Sequence, residues 1–372
     1  MNKYLKRILL LFLSLIFALL VAEGLTRLFF DPIDFLKPKT LTDEVLRYKI
    51  EPNSGAHDSW GYRNKRVPQS AEIVTVGDSH TYGISATASN SWPISLQGIS
   101  GKEVYNLGLG GYGPAEYFYI MQQNALQLNP EMIIAGLYLG NDLKDTFNAV
   151  YSIPIWENLR SLDISYSFDD QENDKDLDSA GFTDWLSGNS VLYRIVSSSY
   201  IGDNLRQQRR LSKGEDIPML NVPENGINTG FTPDRRLKGL DLSNAEVREG
   251  LRLTLELFNN MNELAKVKDV GFLVVIIPTK EMVFAELIKK SSELSANVKL
   301  NILIQNEEVV SKLIKRYFED HGISYIEVLE PLRNAAGSEQ IYPNNFGGHS
   351  NKNGYRIIAE TINQYLESKP TQ

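Results

Sequence analysis

Five short runs of apolar, mostly β-branched residues recur along the chain, separated by longer segments with helical periodicity. Such runs are typical of parallel strands that are covered on both faces by crossover helices. A chain of 372 residues, 42% of them hydrophobic, is long enough to bury the core that this arrangement needs. The pattern predicts a three-layer α/β/α sandwich around a parallel sheet. The predicted strands cover residues 72–76, 103–107, 132–138, 271–277 and 323–328.

The connection between the third and fourth predicted strands is unusually long. Residues 146–245 separate them, far more than a usual crossover, and therefore form an insertion. The insertion is predicted to contain an acidic solvated loop at 169–178 and a helix at 184–210. The acidic loop lacks the glycine and the downstream glutamate of a calcium-binding EF-hand loop, so no metal site is predicted there.

The first residues of the chain predict a membrane anchor. Lys3, Lys6 and Arg7 precede an apolar run at 8–22, an order that keeps the N-terminus in the cytoplasm and exports the residues beyond the run. We expect an uncleaved signal anchor at 1–30, with the rest of the chain on the periplasmic or cell-surface side. The apolar run is shorter than the ~20 residues of a usual span, so a cleaved signal peptide remains the alternative.

Charge and cysteine content exclude several classes of protein. The net charge of −8 argues against a nucleic-acid partner, because binding to nucleic acid depends on Lys and Arg neutralising phosphates. The absence of cysteine excludes disulfides, thiolate metal sites and a cysteine nucleophile. Residues 31–70 are rich in turn formers and are predicted to be a linker and lead-in, followed by a main domain at 71–372.

Polar and glycine-rich segments come directly after the predicted strands. Gly-Asp-Ser-His-Thr occupies 77–81, a glycine-rich stretch occupies 106–113, Gly-Asn-Asp occupies 140–142, and His349 precedes the last predicted helix. In an open parallel sheet, ligands bind beyond the carboxyl ends of the strands, so these segments are predicted to meet at one rim. A serine hydroxyl becomes a nucleophile when an adjacent base accepts its proton, and histidine suits that exchange near neutral pH.

These four blocks in this order, with the "GYR" lead-in at 61–63 and "GNDL" after the third strand, resemble the SGNH (GDSL-type) hydrolase superfamily, in its membrane-anchored bacterial branch. The resemblance implies a flavodoxin-like fold with Ser79 as nucleophile and His349 as general base. It also implies an oxyanion hole made by the backbone N–H groups of Ser79 and Gly111 and the side-chain amide of Asn141. Gly110 is the alternative to Gly111 if the register differs by one residue. No cofactor or metal ion is expected.

One position departs from the pattern of that family. The family has an aspartate two or three residues before the histidine, where this chain has Phe346 and Gly347. Three explanations stay open: a working Ser-His dyad, an orienting group such as Asn345 or an acid from elsewhere, or an impaired enzyme. An amide can orient a histidine, as in Cys-His-Asn proteases.

Other residues near the predicted rim could contact substrate. His80, Tyr112 and Lys280 are the candidates, with packing as the alternative for each. The resemblance and the predicted location together favour an extracytoplasmic serine esterase that removes short acyl groups, such as acetyl, from a carbohydrate or cell-envelope polymer. The alternatives are an O-acyltransferase acting on polysaccharide and a non-catalytic carbohydrate-binding component of an envelope polysaccharide complex.

Overall fold

A computed structural model of the chain describes residues 3–164, 181–197, 218–222 and 225–368. The main sheet has five parallel strands, in the spatial order β4-β3-β5-β8-β9, and two separate two-stranded pairings, β1-β2 and the antiparallel β6-β7, lie outside it. Within the described ranges the strands are β1 (Thr40–Asp43), β2 (Arg47–Ile50), β3 (Ile73–Gly77), β4 (Val104–Asn106), β5 (Met132–Tyr138), β6 (Met219–Val222), β7 (Ile227–Gly230), β8 (Gly271–Ile277) and β9 (Tyr325–Glu327).

The sheet confirms the predicted fold class. If its strands are numbered one to five along the chain, their spatial order is 2-1-3-4-5, the flavodoxin-like order of a doubly wound sheet. All five predicted strands are present. The third and fourth have the predicted bounds, and the others differ by one or two residues at each end, as is usual for the ends of elements.

Helices connect the strands and cover the sheet. Apart from short 3-10 turns, the helices of the described residues are α1 (Lys3–Phe29), α2 (Ser79–Tyr82), α3 (Trp92–Ser100), α4 (Pro114–Gln123), α5 (Asp142–Ser152), α6 (Phe182–Asn189), α7 (Val191–Ser197), α8 (Pro233–Leu240), α9 (Ala245–Val267), α10 (Lys280–Val283), α11 (Ala285–Lys290), α12 (Val298–Asp320), α13 (Leu329–Ala336) and α14 (Lys352–Ser368).

Both faces of the main sheet are buried. Successive side chains of a strand point to opposite faces, and Ile73 and Val74 of β3 are both almost fully covered. Ile73 belongs to an apolar cluster with Trp92 of α3 and Ile358 of α14. A second cluster is formed by helices α4, α5 and α9, and it includes Phe147 of α5. The three layers thus result from strands that are apolar on both faces.

The chain divides into two compact units. The larger one comprises Thr42–Lys49, Tyr62–Glu172 and Ile217–Gln372, and contains the main sheet. The smaller one comprises Met1–Leu41, Ile50–Gly61 and Asn173–Asp216, and contains α1, α6 and α7.

Within the smaller unit, α1 carries the apolar N-terminal sequence. It is 27 residues long with a mean hydropathy of 2.7 over its most apolar window, enough by length and composition to cross a membrane. Near its C-terminal end, Glu23 caps the start of α7 by accepting the backbone N–H groups of Val191 and Leu192, each at 2.9 Å. Arg27 donates to the carbonyl of Asn189 at 2.7 Å, so the end of α1 is fixed to the α6–α7 segment.

The insertion differs from its predicted structure. The single helix predicted at 184–210 is wrong in its first part, because α6 ends and α7 begins around Ser190, whose backbone is extended. The rest of that prediction, from residue 198, and the acidic loop at 169–178 lie outside the described residues. The later part of the insertion forms the β6-β7 hairpin and α8.

Candidate active site

Ser79 is the first residue of α2, which follows the inner strand β3. The side chain of Asp78 caps this short helix by accepting the His80 backbone N–H at 2.8 Å. A Cβ atom at Gly77 would lie 2.0 Å from the Thr81 hydroxyl, so glycine is what allows so sharp a turn. The turn places the Ser79 hydroxyl oxygen at the carboxyl end of the strand, 3.2 Å from the Asp78 carboxylate.

The structure brings Ser79 and His349 together. The Nε2 atom of His349 lies 2.7 Å from the Ser79 hydroxyl oxygen, across 270 positions of sequence. His349 belongs to the loop before α14, so a strand end and a helix lead-in meet at one rim. The distance is that of a good hydrogen bond from hydroxyl to imidazole, which a nucleophile and its base require.

Basic side chains surround His349, and among the described residues no carboxylate bonds to it. Burial, and after it the positive charges of Arg236, Arg235 and Lys280, lower the pKa of His349 to about 3. Within the described ranges its second ring nitrogen, Nδ1, has no hydrogen-bond partner. The ring is therefore neutral at pH 7 and can accept a proton from Ser79.

Asn345 does not orient His349, in contrast to one of the predicted possibilities. Its side-chain oxygen accepts the backbone N–H of Gly347 at 2.8 Å, a bond within the same loop. Its backbone carbonyl accepts from the Lys280 ammonium at 3.2 Å. Asn and Asp commonly bond the backbone two residues on in this way, so the side chain is used to shape the loop.

The glycine-rich stretch after β4 lies against the nucleophile. A Cβ atom at Gly110 would lie 3.5 Å from the Cβ of Ser79, so Gly110 is the residue that packs on it. Gly111 comes next, with φ of 78°, in the left-handed region that favours glycine. In the described part of the chain the N–H groups of both glycines make no hydrogen bond, which leaves them available as donors to an oxyanion.

A buried ion pair holds this stretch in place, and sequence reasoning missed it. Arg47 of β2 pairs with Glu116 of α4 at 2.6 Å and donates to the carbonyl of Gly111, also at 2.6 Å. Glu116, which is fully buried, also accepts the N–H of Gly113 at 3.0 Å. The Tyr48 hydroxyl donates to the carbonyl of Gly110. Because Arg47 lies in the lead-in, no local pattern connects it with the glycines.

Asn141 precedes α5, at the end of β5. Its side-chain amide nitrogen donates to the Asp145 carboxylate at 2.6 Å, and its oxygen is buried with no partner among the described residues. Burial, with the negative charges of Glu116 and Asp78, raises the pKa of Asp145 to about 7. One N–H of the amide is thus fixed by Asp145, and its role toward an oxyanion stays a prediction.

Two of the residues predicted to contact substrate, His80 and Tyr112, lie in the core. His80 is 0% exposed, and its ring lies between the tilted rings of Tyr138 and His349, at centroid distances of 3.9 and 4.7 Å. Tyr112 is 1% exposed, and its hydroxyl donates to the backbone carbonyl of Tyr48 at 2.6 Å. Both therefore pack, the alternative that the sequence left open.

Lys280 is likewise buried, but it contacts the loop that carries His349. It is 1% exposed, and its ammonium donates to the carbonyls of Asn345 and Gly347, at 3.2 and 2.8 Å, and to the Thr229 hydroxyl at 3.1 Å. Burial lowers the pKa of Lys280 to about 8. Lys280 thus holds the loop in position, and its contact with substrate stays a prediction.

The described residues contain no group of three or more histidine, aspartate or glutamate side chains placed to hold a metal ion. The arrangement offers a hydroxyl, a neutral imidazole and free backbone N–H groups. These are the groups that acyl transfer through a serine uses.

No protein-family profile and no curated protein matches the chain. Several solved structures do. A member of the lipolytic protein G-D-S-L family from Veillonella parvula matches at 14% identity and a TM-score of 0.37, over 80% of this chain and 98% of that one. The chain is similar to G-D-S-L lipolytic proteins.

Two further solved structures are similar to the chain. A GDSL-like lipase from Bacteroides thetaiotaomicron matches at 11% identity and a TM-score of 0.36, over 81% of this chain and 92% of that one. An acetyl xylan esterase from Butyrivibrio proteoclasticus matches at 12% identity and a TM-score of 0.33, over 81% of this chain and 65% of that one. At such low identities and TM-scores, the activities of those proteins are not transferred to this chain.

Proposed function

We propose that the protein is a serine ester hydrolase that works through an acyl-enzyme, with Ser79 as nucleophile and His349 as general base. The single observation that carries the proposal is the 2.7 Å hydrogen bond between the Ser79 hydroxyl and His349 Nε2. It is supported by the glycine-rich stretch packed against Ser79, whose N–H groups are free to bind an oxyanion.

The reaction proceeds in two steps. His349 Nε2 takes the Ser79 proton as the serine oxygen bonds to the ester carbonyl carbon, and the carbonyl oxygen becomes an oxyanion. As the oxyanion collapses, the bond from carbon to the alcohol oxygen breaks, and that oxygen receives the proton from His349. Water then attacks the acyl-serine with His349 again as base, releasing the acid and restoring the hydroxyl. The backbone N–H groups of Gly110, Gly111 and Ser79, with the Asn141 amide, are the donors proposed for the oxyanion.

Of the three explanations for the missing aspartate, the geometry favours a Ser-His dyad. No carboxylate and no Asn345 contact is present at His349 Nδ1 in the described ranges. The ring is instead held by stacking on His80 and by the loop that Lys280 fixes. Loss of the aspartate from a serine protease triad costs ~10⁴ in kcat, so turnover slower than that of a full triad is expected.

The substrate proposed is a short acyl ester, such as an acetyl group on a carbohydrate or cell-envelope polymer. The support is the resemblance of the four sequence blocks, together with α1, which would keep the enzyme at a membrane on the extracytoplasmic side. A fold alone does not define a substrate, and the insertion, which contributes α8 near His349, is the segment proposed to select it.

The test is hydrolysis of 4-nitrophenyl acetate by the full-length protein in detergent, with Ser79→Ala and His349→Ala beside the wild type. We expect steady release of nitrophenol that Ser79→Ala abolishes and His349→Ala reduces at least ~10²-fold, since the serine needs its base. Ser89→Ala, at an exposed position of the 3-10 turn Ala88–Asn90, is the control serine and should retain full activity. Equal release by wild type and Ser79→Ala contradicts the proposal.

A further inference from the structure

Arg236 is a buried cation beside the proposed base. It lies on α8, a helix of the insertion, and is 8% exposed. Its guanidinium carbon lies 5.3 Å above the ring of Tyr138, the residue that also stacks on His80. A Cβ atom at Gly348 would lie 2.4 Å from its Nη2 atom, so the guanidinium touches the backbone directly before His349.

This guanidinium has no partner of opposite charge. Within the described ranges it makes no hydrogen bond and no ion pair within 4 Å, and its Nε is fully buried without a partner. Asp78 and Glu281 act on it only at longer range. One oxygen of Glu281 already accepts the Thr232 N–H at 3.1 Å. A buried charge that is left unpaired is costly, so an arginine is retained here at the expense of stability.

The charges around His349 add to this imbalance. Arg236, Arg235 and Lys280 are the groups whose charge acts on the ring, and all three are positive. When His349 takes the proton of Ser79 it becomes a fourth cation in the cluster. In the family that the sequence resembles, an aspartate would stabilise that imidazolium, and this chain has none at the position.

We propose that the substrate supplies the missing negative charge: the ester's alcohol part carries a carboxylate that binds Arg236, next to His349. The inference rests on the proposed function and specifies its substrate as an acyl ester of an acidic alcohol, such as an O-acetylated sugar acid. The carboxylate belongs to the alcohol part because the departing alcohol oxygen receives its proton from His349 and so leaves on that side. A guanidinium binds a carboxylate through two parallel N–H donors, and Nη1 and Nη2 are uncommitted.

The substrate's carboxylate would then have two effects on the reaction. It would neutralise Arg236 in the bound complex, which removes the cost of the unpaired charge. It would also lie near the imidazolium that forms in the transition state, an interaction that strengthens as the proton moves. The acidic ester should therefore have a higher kcat as well as a lower KM than the neutral one.

The experiment compares two substrates that differ by one charge: O-acetylated glucuronic acid and the corresponding O-acetylated glucuronamide. Acetate release is followed with full-length wild type, Arg236→Gln and Lys238→Gln, and 4-nitrophenyl acetate reports the dyad itself. Lys238 is an exposed cation of the same helix, so it is the matched control. We expect wild type and Lys238→Gln to prefer the acid by about 10- to 100-fold in kcat/KM, as for a charge-assisted hydrogen bond. In Arg236→Gln the ratio of the two should fall to about 1.

Binding to Ser79→Ala provides a second readout that needs no turnover. Calorimetry should show tighter binding of the acetylated acid than of the amide, and Arg236→Gln introduced into Ser79→Ala should remove the difference. The inference is overturned if neither measurement distinguishes acid from amide, or if Arg236→Gln leaves the preference unchanged, while Ser79-dependent release from 4-nitrophenyl acetate persists. Absence of Ser79-dependent release from every ester overturns the proposed function instead.

Discussion

At the scale of single residues, the site depends on a histidine that stays neutral. Burial and three nearby cations lower the pKa of His349 to about 3, where an exposed histidine titrates near ~6.5. Because only the neutral ring accepts the serine proton, a lowered pKa keeps the base functional as the pH falls. The same cations destabilise the imidazolium that forms during the reaction. They therefore keep His349 unprotonated but slow the proton transfer from Ser79.

The pH profile of the wild type tests this account of His349. We expect kcat/KM with 4-nitrophenyl acetate to show no decrease attributable to His349 between about pH 7 and pH 4, because the folded ring remains unprotonated there. The groups that act on His349 are Arg235 and Arg236 of α8, Lys280 of α10 and the ring of His80. None of the three cations gains charge over that range.

Two carboxyl groups beside the site titrate in the same range: Asp78, and Asp145, whose pKa burial raises to about 7. Burial raises the pKa of Asp78 to about 6, and its carboxylate lies 3.2 Å from the Ser79 hydroxyl oxygen. A change in kcat/KM near pH 6 that is caused by Asp78 should therefore disappear in Asp78→Asn. A decrease with an apparent pKa of ~6.5 that persists when Asp78→Asn is combined with Asp145→Asn would contradict the lowered pKa of His349.

Lys280 makes a second prediction at this scale. Lys280→Met removes the donor to the carbonyls of Asn345 and Gly347 and to the Thr229 hydroxyl, which leaves buried acceptors unpaired. We expect a loss of about 1–3 kcal/mol in the free energy of unfolding, measured in urea, and about tenfold in kcat. Lys290→Met, at an exposed position of α11, should change neither. A Lys280→Met protein that is both as stable and as active as the wild type would show that the His349 loop does not need these hydrogen bonds.

At the scale of elements, the glycine stretch and the nucleophile helix are packed backbone to backbone. A Cβ atom at Gly108 would lie 2.5 Å from the backbone nitrogen of Tyr82 and 2.7 Å from the carbonyl carbon of Thr81, both in α2. Backbone atoms cannot rotate away as a side chain can, so an added methyl group has to displace α2. That displacement would move Ser79, the first residue of the same helix.

Gly108→Ala is therefore expected to reduce both stability and activity. Overpacking of this kind costs about 1–3 kcal/mol, and a shift of the nucleophile lowers kcat/KM by ~10²-fold. Gly98→Ala in α3 is the control, because a Cβ atom there meets nothing within 4 Å. That variant should keep its activity and gain about 0.5–1 kcal/mol. Urea unfolding and 4-nitrophenyl acetate kinetics measure both, and an active, stable Gly108→Ala would refute the tight packing.

The sequence predicted the elements of the site better than their surroundings. Strand ends are local patterns, and the segments after β3, β4 and β5 could be assigned to one rim from hydrophobic periodicity alone. The burial of His80, Tyr112 and Lys280 depends on residues far away in sequence, such as Tyr138 and Gly347. No local pattern distinguishes a polar residue at the rim from one beneath it.

Arg236 illustrates the same limit for the insertion. It is one of several charged residues in "PDRRLKG", and nothing in that stretch separates it from Arg235 or Lys238. Only the packing of α8 against the His349 loop makes it a buried cation. The lead-in residue Arg47, which pairs with Glu116 beside the glycines, was missed for the same reason.

At the scale of the whole molecule, α1 is the segment proposed to hold the enzyme at a membrane. None of its most apolar window is buried within the structure, so its apolar side chains would be exposed to water outside a membrane, which is unfavourable. Arg27 at its C-terminal end is paired with Glu23 at 2.7 Å, and Glu23 in turn caps α7. The C-terminal end of α1 is thus hydrogen-bonded to the start of α7.

We expect the full-length protein to stay in the membrane fraction after carbonate extraction of the expressing cells. The reason is that α1, a helix of 27 residues with a mean hydropathy of 2.7 over its most apolar window, is long and apolar enough to cross the bilayer. Protease added to intact spheroplasts should degrade the main domain if it lies on the extracytoplasmic side. Release into the soluble fraction with a new N-terminus near residue 24 would instead support the cleaved signal peptide.

The most direct test of the central claim is the intact mass of the protein after reaction with a fluorophosphonate, which traps activated serines. We expect a single adduct, located on Ser79 by peptide mapping, absent from Ser79→Ala and formed at least ~10²-fold more slowly in His349→Ala. No adduct on Ser79, or one that forms equally fast without His349, would show that His349 does not activate Ser79 as a nucleophile.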